Sequence, residues 1–321
     1  MNYTKTFFLL LALLYNSLTH AQVIDPTASY SSISGDHYYR FSYDNDYFTK
    51  MDYYYTQGIN LEYVHPGLRR FPLTKLLVKL PNSTYKYGLA LDHIGYTPTS
   101  ILSSRILYGD RPYSSTLTLK TFTISTDAAR RQRLSASLIL GVVGPAAFGE
   151  EMQTGIHRWL KNPLPQGWQY QVKNDVIINY QVNYDKNIWS PGNGLQFSGA
   201  AEARLGTFQQ RLSGGLTLMA GHFNDPYQSN QSGKKWQYYF FGHPQANLVG
   251  YDASLQGGIF NLESPYTISA SDINRLTLQG DAGIVVSTRK IYLSYCQSIL
   301  TKEFRTGVYH RWGGIRFGLI F

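Results

Sequence analysis

The 321-residue sequence contains one cysteine, Cys296, so no intrachain disulfide can hold it together. Charge is sparse: Asp, Glu, Lys and Arg make up 15% of the chain, against a usual ~25%. The net charge is +9, but the basic residues are dispersed, the densest run being "ARRQR" at 129–133. That distribution argues against a nucleic-acid-binding stripe and suits contact with anionic lipid headgroups or plain solvation. No apolar stretch approaches the ~20 residues a helical span needs; a helical membrane protein is excluded. No internal repeat stands out, and no Gly-x-Ser-x-Gly motif offers a serine nucleophile.

What is present is aromatic and glycine-rich: 27 Tyr, 16 Phe and 29 Gly. The chain opens with Lys5, an apolar run from Phe7 to Tyr15 and the small-residue site Thr19-His20-Ala21. That is the form of a secretory signal peptide over 1–21, leaving 22–321 as the mature chain.

Along that chain apolar and polar residues alternate with the period of a strand. Val172, Val176, Ile178, Tyr180, Val182 and Tyr184 fall on one face, and Lys173, Asp175, Asn179, Gln181, Asn183 and Asp185 on the other. Tyr55, Ile59, Leu61 and Tyr63 oppose Thr56, Asn60 and Glu62, and Leu276, Leu278, Ala282, Ile284 and Val286 oppose Arg275, Gln279 and Asp281. About twelve such segments occur, near 37–46, 54–65, 84–96, 112–125, 131–143, 168–185, 193–208, 210–221, 244–259, 274–287, 289–300 and 306–321. Strands of ~10 residues, apolar outside and polar inside, are what a transmembrane barrel requires, whereas soluble sandwich strands run to ~5–6. The last strand ends on Phe321, with Ile315, Phe317 and Leu319 on the same face. The expectation is an all-β, antiparallel transmembrane barrel of about twelve strands in the bacterial outer membrane, with short helical segments in its loops. Ile59, Leu61, Tyr63, Val176, Ile178, Tyr180, Leu278, Ile284 and Phe317 should face lipid, Ile178 at the midplane.

A barrel that begins and ends in the periplasm sends its first strand outward. The tip of "FSYDNDYFTKMDYYYTQGINLEYVHP" (41–66) and the interruptions at 97–111 and 144–168 are then extracellular. Asn45, Asp46, Thr56, Asp110, Arg111, Gln153 and His157 all reach one rim. Strict alternation puts Asp46 and Thr56 in the lumen but turns Asn45 outward, so the strand must end or bulge there. Gln153 and His157, four apart, share one face if their stretch is helical. A histidine beside an orienting amide can deprotonate water. Asn and Asp oxygens beside a hydroxyl suit a hard cation such as Ca²⁺, which next to an ester carbonyl stabilises the oxyanion. The set suits an ester hydrolase with a water nucleophile; each member alone also fits turn chemistry or a solvated loop side chain.

"NDYF…YYYTQGINLEY", "YTPT", "GDRPY", "LGVVGP…GEEMQTGIH" and "NPLPQGWQYQVKND" together resemble the outer-membrane lipid A 3′-O-deacylases, across nearly the whole mature chain and in the same order. The resemblance implies a twelve-stranded barrel that removes the 3′-linked acyloxyacyl group of lipid A in the outer leaflet with Ca²⁺; a monomer is the separate expectation. By it His157 activates water with Gln153 one turn away, and Asn45, Asp46 and Thr56 are further polar positions of the site, the first two at the metal. Arg111 binds a substrate phosphate or pairs with Asp110. The family's Asp-Arg-Pro-Tyr-Ala-Gly reads Asp110-Arg111-Pro112-Tyr113-Ser114-Ser115 here, which bears on pocket shape and acyl-chain preference. Two other readings stay open: a non-enzymatic barrel, either channel or adhesin, and an outer-membrane phospholipase.

Overall fold

The structure, a computed structural model, describes residues 25–51, 53–192, 194–228 and 233–321; the signal-peptide stretch 1–21 lies outside the described residues. Twelve antiparallel strands close into a barrel, each bonded to its neighbours in sequence and the last to the first. They are β1 (Tyr38–Asn45), β2 (Tyr54–Val64), β3 (Thr84–Thr97), β4 (Ser114–Asp127), β5 (Gln132–Val143) and β6 (Asp175–Trp189). The other six are β7 (Leu195–Gly206), β8 (Gln209–His222), β9 (Trp236–Asp252), β10 (Leu276–Thr288), β11 (Ile291–Leu300) and β12 (His310–Ile320). Two helices interrupt the extracellular loops, α1 (Gly149–Leu160) and α2 (Ala253–Gln256).

Closure pairs Tyr38 with Ile320 and Asn45 with Gly313, so the barrel begins and ends at the same mouth. The outer surface carries the apolar halves of the strands: Leu61, Val176, Ile178, Leu278, Ile284, Ile315, Phe317 and Leu319 are exposed, with Ile59, Tyr63 and Tyr180 half-exposed. In water such a belt would be an aggregation surface; in a bilayer it is the lipid face. Ile178 is the fourth residue of β6 from its extracellular end, so it stands near the outer interface and not at the midplane.

The polar halves point inward and satisfy one another, as buried charges must. Arg40 is paired with Glu62 at 2.8 Å and Arg316 with Asp44 at 3.0 Å. Residues 25–36 occupy the same interior. Arg40 of β1 donates to the Pro26 and Ser31 carbonyls, Tyr239 of β9 to the Tyr30 carbonyl and Lys86 of β3 to that of Ile33. The Thr27 and Ser135 hydroxyls meet at 2.9 Å, and Tyr30 stacks on Phe241 at 4.5 Å. Partners on opposite walls place this segment inside the barrel.

The strand boundaries depart from the sequence reading in two places. Residues 168–170 form a 3₁₀ turn and Val172 is buried with Val143 and Ile177, so β6 starts at Asp175 and Val172 does not face lipid. The ninth strand begins at Trp236, before the expected 244, and stops where α2 begins, before 259. Its first half, "WQYYFF", puts aromatics on both faces: Tyr238 and Phe240 are exposed, while Tyr239 and Phe241 are buried. Alternation of hydropathy is invisible there. Arg275, read as lumenal, lies just before β10 and donates to the Ala270 and Gly250 carbonyls of the rim.

Candidate functional site

The site begins with a defect in β2. Tyr55 pairs with Tyr96 and Gln57 with Gly95, so Thr56 is an extra residue in the ladder. A bulge reverses which face a strand presents beyond it. Tyr55, expected on the lipid side, therefore turns into the lumen, where its ring stacks on Trp312 at 4.4 Å. Thr56, expected in the lumen, joins its hydroxyl to that of Thr97 at 2.6 Å. Thr97 has the parity of Leu91, whose side chain is exposed to lipid, so the two threonines meet on the outer wall.

β1 ends at Asn45, which starts the 3₁₀ turn Asp46–Thr49. The Asn45 amide is spent on that turn: its oxygen accepts from Tyr47 N at 2.8 Å, and its nitrogen donates to the Thr56 carbonyl at 2.6 Å. This is ordinary Asx capping. Asn45 faces outward with Tyr43, to whose hydroxyl it also donates; no lumenal bulge is needed, because the site is not lumenal. Asp46, buried, stands one residue beyond the Asn45–Gln57 pair, opposite Thr56.

Above this wall lies the loop between β5 and β6. His93 shares the outward parity of Leu91, yet it is buried and its Nε2 donates to the Ala147 carbonyl at 2.9 Å. Gly149, the first residue of α1, is so close to the wall that a Cβ there would sit 2.5 Å from that of Ser115. α1 is thus laid against the outside of β3 and β4, with Gly149, Gln153 and His157 repeating at i, i+4 and i+8 on the covered side. Glu150, Glu151, Arg158 and Trp159 take the open side.

Gln153 is buried, and its side-chain oxygen accepts from the Trp168 indole at 2.7 Å. The His157 ring lies 2.6 Å through Nδ1 from the Pro163 carbonyl. A carbonyl only accepts, so Nδ1 carries a hydrogen, and in the neutral ring the lone pair is then on Nε2. The ring is held by this backbone carbonyl, while the Gln153 amide bonds to Trp168.

Arg111 is placed elsewhere. Its guanidinium is buried over the Tyr96 ring, 4.2 Å from the centroid, and bonds to Glu303 and to the Ser254 hydroxyl. Burial opposes its charge, but the Glu303 carboxylate together with Tyr96, Asp252 and Tyr54 outweighs this and holds its pKa above the ordinary value. Tyr96 is lumenal, so Arg111 stands behind the sheet from Thr56 and Thr97. The Asp110 carboxylate does not pair with this guanidinium: it accepts from the backbone N–H groups of Arg111 at 2.7 Å and Thr99 at 2.8 Å. Ser114 and Ser115 are buried too, their hydroxyls donating to the Ser254 and Gly144 carbonyls. Ser115 narrows the seat of α1, and Gly149 accommodates it.

The structure therefore gathers Asn45, Asp46 and Thr56 at the β1–β2 tip, aligns Gln153 and His157 on the wall side of α1, and removes Arg111 to the lumen. Thr97, Pro163 and Trp168 enter as the residues that hold these groups. All three lie in quoted motifs, Thr97 in "YTPT" and Pro163 and Trp168 in "NPLPQGW", but nothing in the sequence alone gives them these contacts.

A closed barrel of twelve strands, with an apolar belt and a filled polar interior, is of the outer-membrane class, here with a helix laid over the outside of its wall. The sequence matches the family model of outer membrane protein LpxR over residues 7–321, and the chain belongs to that family. The fold is similar to that of LpxR from Salmonella typhimurium, with a TM-score of 0.72 and 20% identity, covering 88% of this chain and 100% of that one. A looser likeness, TM-score 0.46 and 9% identity over 90% of this chain and 100% of the other, is to the β domain of the Bordetella autotransporter BrkA. No curated protein matches.

Proposed function

We propose that the protein is an outer-membrane esterase that removes the 3′-linked acyloxyacyl chain of lipid A, by attack of a water activated at His157. The observation that carries this reading is the His157 ring, held through Nδ1–H by Pro163 under a helix on the lipid side of the rim. Acyl esters of the outer leaflet lie beside that wall, and a free Nε2 is the atom a general base needs. Thr56 supports water as the nucleophile: its hydroxyl is bonded to that of Thr97, while the His157 ring is held by Pro163. In this reading Thr56 and Thr97 position the substrate, and Gln153 with Trp168 fixes the base-bearing helix.

Calcium belongs to the same proposal. Asp46 and the Thr56 hydroxyl are oxygen donors of the type a hard cation takes. Among the described residues no three His, Cys, Asp or Glu side chains come together, and the Asn45 oxygen is committed to its turn. Asp46 would hold the ion, with water and substrate oxygens completing a sphere of ~6–8 ligands. When bound, calcium supplies positive charge beside the ester carbonyl.

The test is mass spectrometry of lipid A and glycerophospholipids from cells carrying the protein or His157→Ala. Loss of the 3′ acyloxyacyl mass with the first and not the second is expected. Unchanged lipid A, deacylated phospholipid in its place, or an acyl group trapped on Thr56 would each overturn the reading.

A further inference from the structure

At the mouth opposite the candidate site, residues from 29–36 together with Asn224, Asp225, Pro226, Gln228 and Gly233 line a cavity of about 360 Å³. That is within the ~300–1,000 Å³ range of small-molecule sites. Two cations line it, Lys86 from β3 and Arg133 from β5. Among the described residues neither is in an ion pair. Lys86 donates to the Ile33 carbonyl at 2.7 Å, and Arg133 donates through Nη2 to the Thr27 carbonyl at 3.2 Å. Arg133 is 3% exposed, and its Nε and Nη1 have no hydrogen-bond partner.

Glu62 holds Arg40 and Asp225 holds Arg131 at 2.9 Å. Asp185, the carboxylate across the ladder from Arg133, accepts from the Ser29 hydroxyl and is in no ion pair with Arg133. Asp36 lines the cavity beside His37 at 2.8 Å, half-exposed. The two cations share the cavity with the carboxylates of Asp36 and Asp225 and are in no ion pair with either. Buried donors and like charges left in this state cost stability that a bound anion would recover.

We propose that this periplasmic vestibule binds a small phosphate-bearing anion between Lys86 and Arg133. Arginine and lysine are the usual phosphate donors, and charge-assisted bonds to them are the strong ones. The site is independent of the esterase reading, since it lies at the far end of the barrel from α1. Its phosphate could be that of a soluble ester or of a lipid headgroup; the shared chemistry is the same.

The test is calorimetric titration of the detergent-refolded protein with inorganic phosphate, and separately with short-chain phosphatidylglycerol, at constant ionic strength against chloride. Saturable binding is expected for the wild type, weakened about tenfold or more in Lys86→Gln and in Arg133→Gln. Binding of inorganic phosphate assigns a soluble ligand, and binding of the lipid alone assigns a headgroup. Lys86→Gln leaves the Arg133–Thr27 bond in place and decides the matter if Arg133→Gln does not fold. Heat enthalpies no different from chloride in both arms, or full affinity in Lys86→Gln, would overturn the proposal.

Discussion

The Nδ1 of His157 donates to the carbonyl of Pro163 across 2.6 Å, six residues on and beyond the end of α1. The chain turns back there through Lys161, whose left-handed conformation lets Asn162 N reach the His157 carbonyl at 2.8 Å. Helix end and ring orientation are one piece of local structure. His157→Ala should lower esterase activity by ~10²–10⁴-fold and leave the barrel folded, because the ring is no part of the sheet. Activity measured beside heat-modifiable gel mobility checks both halves. Near-normal turnover in His157→Ala would remove the general base from the mechanism.

Arg111 makes the opposite case. It belongs to the motif that marks the rim, yet it is buried against Glu303 and Tyr96 inside the lumen. Arg111→Ala should act on stability, costing ~3–5 kcal/mol because it strips the guanidinium from a buried carboxylate. Protein that does fold should keep its KM for substrate. Denaturant unfolding and steady-state kinetics separate the two roles; a large rise in KM with unchanged stability would return Arg111 to the substrate.

How much of this was legible in the sequence follows from what each feature depends on. Strand number and lipid face depend on hydropathy of period two, which Leu278, Ile284 and Phe317 display openly. The ninth strand begins where Tyr238 to Phe241 are aromatic on both faces, and there the period disappears. The candidate site depended on one extra residue. Counting inward and outward through Thr56 assumes an unbroken ladder, and the bulge between Tyr55 and Gln57 reverses the count. Thr56, counted into the lumen, stands on the outer wall instead, bonded to Thr97. Arg111 could not have been placed, because Glu303 is 192 residues away.

The lipid face gives a graded expectation. Ile284 lies in the middle of β10 and is 55% exposed, whereas Ile178 is exposed near the extracellular end of β6. Arginine at Ile284 should cost ~2–4 kcal/mol, and at Ile178 only ~0–1, since the penalty falls toward the interface. Reversible unfolding from lipid vesicles measures both. Equal costs at the two positions would mean that the barrel sits in the bilayer at another depth.

The last prediction concerns the lumen. A twelve-stranded barrel is wide enough to leave interior space that something must fill. Here residues 25–36 are bonded to β1, β3, β5, β6 and β9 at once, through Arg40, Lys86, Ser135, Asp185 and Tyr239. Farther along the interior Arg316 and Asp44 bridge β12 and β1, and Arg211 and Glu202 bridge β8 and β7. The protein should therefore show no steady conductance in a planar bilayer. Deleting 25–36 removes Tyr30 from Phe241 and frees Arg40 from two of its carbonyl acceptors, so that variant should conduct or flicker. Esterase activity should survive the deletion, because the wall beneath α1 is on the outside. A wild-type protein that conducts like an open pore would show that the segment does not block the lumen and would favour the channel reading.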